Sequence, residues 1–285
     1  MFRGPKNALQ PNWTHLPVGY HGRASSVILS GQNINRPCGQ LIYDVKKGPV
    51  FDTCKRLDIE LEVGWFFGGK SNKLGQRIDI NDSFDNIFGM VLLNDWSARD
   101  IQKWEYIPLG PFNAKNFATS ISPWIVTMEA LKPFQQALPK QEPKLLDYLV
   151  SGKDFLFDIK LFVYIKSKNM LSYQKIIESN TNGLYYSCQQ QLTHHTSTGC
   201  PFNSGDLFGS GTISGKSKDS FGSLLELTWN GKNKIKLNDG TERTFLNDGD
   251  TILFKGYNSL KNGKKVGFGQ CLTTILPAFP VKSKL

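Results

Sequence analysis

The stretch LDIELEVGWFFGG, Leu57–Gly69, decides the fold because it has the pattern of a core strand that carries acidic side chains. Apolar and acidic residues alternate along it, so its carboxylates share one face at period two: Asp58, Glu60 and Glu62. The aromatic run from Trp65 to Phe67 indicates that the strand continues into an interior. A solvated outer face is the ordinary explanation for acids on a strand, and an inward-facing site is the alternative.

The composition predicts a globular protein in which strands dominate over helices. The chain has 285 residues, of which 39% are hydrophobic and 12% aromatic, and its 27 glycines and 14 prolines favour many turns. A chain of this length buries about 75% of its unfolded surface, enough for a sizeable core. The five cysteines are dispersed without a Cys-x-x-Cys pair. That pattern is typical of reduced thiols, so we expect a cytoplasmic protein without a disulfide scaffold or a zinc site.

The net charge of +10 does not indicate a nucleic-acid partner. The lysines lie in short pieces beside turn residues, such as KSK, GKNKIK and NGKK, which favours solvated loops over a basic interface. A basic protein also suits an anionic small-molecule substrate. No apolar run approaches the length of a membrane span, so we expect no membrane partner.

Periodicity predicts a mostly antiparallel β domain. The predicted strands are ASSVILSG, residues 57–67, DNIFGMVLLND, FLFDIKLFVYI, GSLLELTW, DTILFKGY and VGFGQCLTTIL. Asn238, Asp239 and Gly240 supply the turn of a hairpin within IKLNDGTERTF. The clearest helix is SARDIQKWEY, with a start resembling a capping box at Ser97 and Asp100. The segment 125–155, which contains prolines and lysines, permits a lobe boundary.

A third acid completes a candidate metal site. Asp95 lies where an apolar strand meets the start of the predicted helix, a position that also suits a helix N-cap. Together with Glu60 and Glu62 it would form an all-oxygen site of three carboxylates. Such a site suits Mg²⁺ or Ca²⁺ and is poor for zinc, since none of the four histidines has ligand spacing with it.

Hydrogen-bond donors follow Asp95 along the chain. Arg99, Gln102 and Tyr106 fall on one face of the predicted helix and can stabilise an oxyanion or bind a carboxylate. Lys115 and Thr119 lie in the next loop, among aromatic residues, where the lysine could approach a charged centre. The alternatives are a solvated polar stripe on the helix and a surface lysine whose stem packs on rings.

Two later segments carry further candidates. The small-residue loop GSGTISG, Gly209–Gly215, allows close backbone approach to a ligand, with Thr212 as its polar side chain and no Walker lysine. Glu226 interrupts the apolar stretch GSLLELTW. We interpret the adjacent His194 and His195 as structural, because neighbouring residues on a helix or strand point in different directions.

These motifs together resemble the fumarylacetoacetate hydrolase family, in its fumarylacetoacetase form. The resemblance runs from Met1 to about Leu276 and rests on NWTHLPVGYHGRASS, DIELEVGWF, NDWSARDIQKWEYIPLGPF, ISPW, QQLTHH, GDLFGSGTISG, SFGSLLELTW and VGFGQC. It implies a cytosolic homodimer with a mixed β-sandwich-roll catalytic domain. It also implies metal-dependent hydrolysis of the C–C bond of 4-fumarylacetoacetate to fumarate and acetoacetate, the last step of tyrosine and phenylalanine catabolism.

The resemblance also implies roles for individual residues. Those at or near the metal ion are Glu60, Glu62, Asp95, Lys115 and Thr119. Those that contact the substrate are Arg3, Tyr20, Gln102, Tyr106 and Thr212. Those implied to act in catalysis are Arg99, Gln102 and Lys115, which would stabilise an alkoxide, and Glu226, which would orient the general base.

The family pattern places a metal-binding aspartate, a substrate-binding tyrosine and the base histidine before the segment that matches MFRG. We therefore expect residues 1–285 to be a catalytic domain that lacks its first segment and the small N-terminal barrel-like domain. On that expectation the chain binds its ion weakly and has little hydrolase activity. The alternatives are a related activity, such as an acylpyruvate hydrolase or a decarboxylase, and a non-catalytic product.

Overall fold

The structure is a computed structural model that describes residues 12–17, 19–108 and 110–280. It consists mostly of strands, with few helices and mixed sheets, which confirms the predicted fold class. The strands are β1 (Val27–Leu29), β2 (Ile34–Asn35), β3 (Cys38–Leu41), β4 (Val50–Thr53), β5 (Leu57–Asp58), β6 (Leu61–Phe67), β7 (Ile87–Asp95), β8 (Ser97–Ala98), β9 (Thr119–Ile121), β10 (Val126–Thr127), β11 (Gln135–Ala137), β12 (Phe155–Phe157), β13 (Lys160–Lys166), β14 (Gln174–Asn180), β15 (Leu207–Gly209), β16 (Ile235–Lys236), β17 (Glu242–Arg243), β18 (Thr251–Ser259) and β19 (Lys265–Leu276). The α-helices are α1 (Arg99–Glu105), α2 (Met128–Leu131), α3 (Cys188–Thr196) and α4 (Leu224–Leu227).

Two mixed sheets form the framework. The first has the strand order β1-β9-β7-β6-β15, with β10 also paired to β7, and the second has the order β14-β13-β18-β19-β2. In each sheet one edge pair is parallel, β1 with β9 and β19 with β2, while the other pairs are antiparallel. The longest strands therefore lie inside the sheets, where both of their edges are paired.

The two sheets pack closely against each other through their central strands. At Gly256 in β18, an added Cβ would lie 2.7 Å from Leu92 Cδ2 in β7, so only glycine allows this approach. Strand β6 is consequently buried on both faces, and Glu62 is only 4% exposed. A solvated outer face is therefore the wrong explanation for this acid.

The acidic stretch does not form one continuous strand. Strand β5 pairs with β8, whereas β6 pairs with β7 and β15, and the chain changes partners at Ile59 and Glu60. The amide of Glu60 donates to Asn94 Oδ1 at 3.1 Å, which satisfies the backbone at this break.

The segment GSLLELTW forms the short helix α4, so its prediction as a strand was wrong. Ser223 is the N-cap, and its Oγ accepts from the Glu226 amide at 3.3 Å. The Asp58 carboxylate accepts from the amides of Leu224 and Leu225 at 2.8 and 3.0 Å. These distant acceptors satisfy the first amides of the helix, which local sequence could not reveal.

The predicted capping box of α1 was also wrong. Ala98 is the N-cap, and Ser97 belongs to β8, where it pairs with Asp58. The Asp100 carboxylate accepts from the amide of Lys55 instead. The helix itself was predicted correctly.

Several other predicted elements are confirmed. Strands β1 and β7 lie within their predicted segments, and β18 and β19 extend one or two residues beyond theirs. The segment FLFDIKLFVYI forms β12 and nearly all of β13. Strands β16 and β17 form the predicted hairpin, in which Gly240 takes a positive φ of 81°.

All five cysteines are free. Within the described ranges, no helix combines the length and apolarity needed to span a bilayer.

Candidate active site

Three carboxylates meet at the junction of β6 and β7. Glu60, Glu62 and Asp95 each offer an oxygen atom, and these atoms lie within 4.8 Å of one another. Glu62 lies on β6 and Asp95 ends β7, so antiparallel pairing of the two strands brings their side chains together. Elsewhere in the described ranges, no other cluster of three acidic, histidine or cysteine side chains has this geometry.

Lys115 is buried against this cluster. Its Nζ donates to Glu60 Oε2 at 2.6 Å, Asp95 Oδ2 at 2.9 Å and Ser97 Oγ at 2.6 Å. The side chain is 3% exposed, so the alternative of a surface lysine does not hold. Burial alone would lower the pKa of Lys115, but the carboxylates of Glu60 and Asp95 outweigh it and raise the pKa. The lysine is therefore charged in the site.

Arg99 joins the cluster to a fourth acid. Its Nε donates to Asp58 Oδ2 at 2.8 Å, and its Nη1 donates to Glu60 Oε1 at 2.7 Å and to Gln102 Oε1 at 3.3 Å. Burial opposes the charge on Arg99, but the carboxylates of Asp58 and Glu60 raise its pKa above the ordinary value. The sequence placed Asp58 in the same acidic pattern but gave it no role of its own.

The buried acids of the site outnumber the buried cations. The carboxylates are Asp58, Glu60, Glu62 and Asp95, and the cations are Arg99 and Lys115. Burial opposes ionisation of Glu60, yet Lys115 and Arg99 lower its pKa to about 2. Burial and the neighbouring carboxylates of Asp95 and Glu60 instead raise the pKa of Glu62 well above its ordinary value.

A divalent cation fits this arrangement. Two formal negative charges remain after the cations are counted, and isolated buried charges are costly. Burial also raises the pKa of Asp95, although Lys115 acts against this shift. The donor atoms of Glu60, Glu62 and Asp95 are all carboxylate oxygens, the ligand type that Mg²⁺ and Ca²⁺ prefer.

Tyr20 covers part of the cluster. Its hydroxyl donates to Asp95 Oδ2, and its ring centroid lies 5.8 Å from Lys115 Nζ. Burial and the Asp95 carboxylate raise the pKa of Tyr20, which keeps the phenol protonated. The amide of the preceding residue, Gly19, donates to His195 Nε2 at 3.3 Å and ties this segment to α3.

The remaining predicted residues lie at different distances from the carboxylates. Thr119 opens β9 directly opposite Asp95 in the strand register. Gln102 contacts Arg99, and the amide of Tyr106 donates to Gln102 O at 2.9 Å, so both lie along α1 and its end. Arg3 lies outside the described residues.

The loop that contains Thr212 approaches the cluster through its backbone. The amide of Gly211 donates to Glu62 Oε2 at 3.0 Å. An added Cβ at Gly209 would lie 2.6 Å from the same oxygen. The methyl group of Thr212 packs beside Gly222, where an added Cβ would lie 2.7 Å from Thr212 Cγ2. Close backbone approach was predicted, and Glu62 is the group that the backbone contacts.

Glu226 lies in a separate part of the site, apart from the three carboxylates. Its carboxylate accepts from Ser214 Oγ at 2.9 Å and from Ser223 Oγ at 2.9 Å. Burial raises the pKa of Glu226, although these two hydroxyls act against the shift. In the part of the chain that the structure describes, no hydrogen bond joins Glu226 to another predicted site residue. Asp58 instead connects helix α4, which carries Glu226, to Arg99.

The tandem histidines have structural contacts. His194 Nδ1 lies 2.8 Å from the Tyr148 hydroxyl, and His195 binds the amide of Gly19. Burial lowers the pKa of each imidazole.

The sequence profile of the "Fumarylacetoacetate (FAA) hydrolase C-terminal" family matches residues 3–275. The chain belongs to the fumarylacetoacetate hydrolase family. Relatives in this family include the fumarylacetoacetases of Dictyostelium discoideum, 54% identical over 281 residues, and of Homo sapiens, 53% identical over 278 residues. Each alignment covers 98% of this chain and 66% of the relative. The chain therefore spans just under two thirds of the length of these relatives.

Solved structures of the fumarylacetoacetate hydrolase family share the fold. A fumarylacetoacetate hydrolase from Exiguobacterium antarcticum superposes with a TM-score of 0.54 at 16% identity, covering 91% of this chain and 66% of that one. A yeast member of the family gives a TM-score of 0.52 at 15% identity, covering 93% and 88%. At these identities the similarity supports the architecture alone.

Proposed function

We propose that this protein hydrolyses the C–C bond of 4-fumarylacetoacetate to fumarate and acetoacetate, with Mg²⁺ or Ca²⁺ as its ion. Convergence of Glu60, Glu62 and Asp95 on one buried point is the observation that carries the proposal. The identity of 53–54% to fumarylacetoacetases across 98% of the chain supports the choice of substrate. The reaction is the last step of tyrosine and phenylalanine catabolism.

The three carboxylates would hold the ion, and Lys115 orients two of them. Its contacts to Glu60 and Asp95 keep both side chains turned toward the same point. A divalent ion held there would act as a Lewis acid toward the oxygens of a β-diketone substrate. Gly211 fixes Glu62 from the other side through its amide.

Arg99, Gln102 and Lys115 would bind the alkoxide that forms when water adds to the carbonyl carbon. Arg99 and Lys115 are charged donors in a buried site, where hydrogen bonds to a developing oxyanion are strongest. Loss of one such donor typically costs about 10²–10³ in rate. Tyr20, Tyr106 and Thr212, together with Arg3, would contact the diketo acid, and Glu226 would orient the base.

A related activity on a shorter keto acid is the second candidate. The buried cluster would serve an acylpyruvate hydrolase or a decarboxylase equally well. Arg3, Tyr20 and Tyr106 favour the longer substrate, because the family resemblance matches them to contacts of the diketo acid. We also propose a cytoplasmic homodimer that has no nucleic-acid or membrane partner.

Purified residues 1–285 test the proposal when they are assayed against 4-fumarylacetoacetate and acylpyruvates with Mg²⁺, Ca²⁺ or neither. In line with the little hydrolase activity expected from the sequence, we expect a slow loss of fumarylacetoacetate that requires the ion. Asp95→Asn, as the matched variant, should abolish it. Selective turnover of acylpyruvates would favour the second candidate. Tight ion binding without turnover of either class would favour a non-catalytic product.

A further inference from the structure

Asp58 is a wholly buried carboxylate that is not among the candidate metal ligands. It is 0% exposed and lies on β5, next to the break in the acidic stretch. Its oxygens accept hydrogen bonds from Arg99 Nε at 2.8 Å and from the amides of Leu224 and Leu225 at 2.8 and 3.0 Å. One side chain therefore contacts two parts of the site that are 125 or more residues apart in sequence.

The first contact sets the direction of the Arg99 guanidinium. Because the guanidinium is planar, a bond from Nε to Asp58 fixes where Nη1 points. Nη1 then reaches Glu60 Oε1 at 2.7 Å. Without its anchor, Arg99 would be free to turn toward the less compensated carboxylates, Glu62 and Asp95. Its positive charge would then compete with a cation for the same oxygens.

The second contact holds the start of α4. The amides of Leu224 and Leu225 belong to the first turn of this short helix, and an acceptor there is needed because they have no partner inside the helix. Glu226 is the next residue along the helix and points to Ser214 and Ser223. A change at Asp58 therefore acts on Arg99 and on the backbone that carries Glu226.

We propose that Asp58 is a positioning residue that holds Arg99 on Glu60 and so preserves the cation affinity of the carboxylate cluster. The inference rests on the proposed function, since it assumes that Glu60, Glu62 and Asp95 bind a divalent ion. Asp58→Asn is the informative substitution. The amide keeps the shape, but its NH₂ group would face Arg99 Nε or a backbone amide, each of which is itself a donor.

Asp250→Asn provides the matched control. Asp250 is 1% exposed and pairs with Arg243 through Nε at 2.8 Å and Nη2 at 2.9 Å. It also accepts from a backbone amide, that of Asn247, at 2.8 Å. The control thus breaks a second buried Arg–Asp pair of the same chemistry. Within the described part of the chain, Asp250 forms no hydrogen bond to the candidate site.

Isothermal titration calorimetry with Mn²⁺ alone, on the wild type and both variants, tests the inference. We expect both variants to lose a comparable amount of thermal stability. Only Asp58→Asn should lower the affinity for Mn²⁺, by about 10- to 100-fold, as is typical for groups that orient metal ligands. Equal Mn²⁺ affinity in Asp58→Asn and the wild type would overturn the inference.

Arg99→Lys shows whether Asp58 acts through Arg99. Lysine keeps the charge but cannot contact Asp58 and Glu60 in the same fixed geometry. We expect Arg99→Lys alone to weaken Mn²⁺ binding, and Asp58→Asn added to it to change the affinity by less than about threefold. Multiplicative losses, or wild-type affinity in Arg99→Lys, would contradict the inference even if Asp58→Asn does not fold. A wild type that binds no Mn²⁺ would instead remove the proposed metal site itself.

Discussion

Lys115→Met should destabilise the folded protein strongly at neutral pH and weakly at acidic pH. The substitution keeps an unbranched side chain of similar length but removes the charge that contacts Glu60 Oε2 and Asp95 Oδ2. It leaves two buried carboxylates without their shared cation. Removal of one partner of a buried ion pair typically costs about 3–5 kcal/mol.

The pKa of Glu60 indicates the pH range over which this cost applies. Burial opposes ionisation, but Lys115 and Arg99 together lower this pKa from 4.5 to about 2. A difference of this size corresponds to about 3 kcal/mol of folding free energy at pH 7, to which Lys115 and Arg99 both contribute. Because the folded pKa lies below the unfolded one, this stability is fully present above about pH 4.5 and is lost as the pH falls toward 2. About two fifths of it should remain at pH 3.

Thermal unfolding at pH 7 and pH 3, without divalent ions, measures this effect. A loss of about 3 kcal/mol should lower Tm by about 6–12 °C at pH 7. The difference in Tm between the variant and the wild type should be smaller at pH 3. Lys132→Met is the control, since its ion pair with Glu129 is exposed to solvent and should contribute less than about 1 kcal/mol. A Lys115→Met protein as stable as this control, or a gap that does not change with pH, would refute the reasoning.

Three further outcomes are expected. Gly209→Ala should weaken Mn²⁺ binding by about 10-fold or more, because its Cβ would lie 2.6 Å from Glu62 Oε2. The control Gly22→Ala, with open space at its Cβ, should leave the Mn²⁺ affinity in calorimetric titrations unchanged. Mn²⁺ at 100 times its Kd should stabilise the wild type by about 2.7 kcal/mol and so raise its Tm. Chelation of the ion should reverse this rise. An equal rise in Tm for Glu62→Gln would argue against Glu62 as a ligand of the ion. Ser223→Ala removes the N-cap of α4 and should cost about 0.5–2 kcal/mol in urea unfolding; no loss would show that Asp58 alone holds the helix start.

Local sequence was enough to predict the elements whose stability depends on their own residues. Strands β7, β18 and β19 follow from apolar runs, and the hairpin of β16 and β17 follows from a turn that requires glycine at a positive φ. The residue types of a hard-cation site were also visible, because acids at period two in an apolar strand conflict with burial unless something neutralises them.

The sequence made Arg99 a candidate through its helix face and Lys115 through its position among aromatic residues, and the resemblance to a known family implied a role for each. The alternatives of a solvated polar stripe for Arg99 and a surface lysine for Lys115 stayed open at that point. Their burial and their contacts with Glu60 became evident only from the structure.

Tertiary structure alone decided where the acids point and what each contacts. The break at Ile59 and Glu60 arises because β5 and β6 pair with different strands, and such pairing depends on segments far away in the chain. Helix α4 forms in a segment with strand-like composition because the carboxylate of Asp58, distant in sequence, satisfies its first amides. The amino-acid sequence thus determined which charges the interior must hold, whereas long-range pairing determined their partners, since the free energy of a buried charge depends on the groups packed around it.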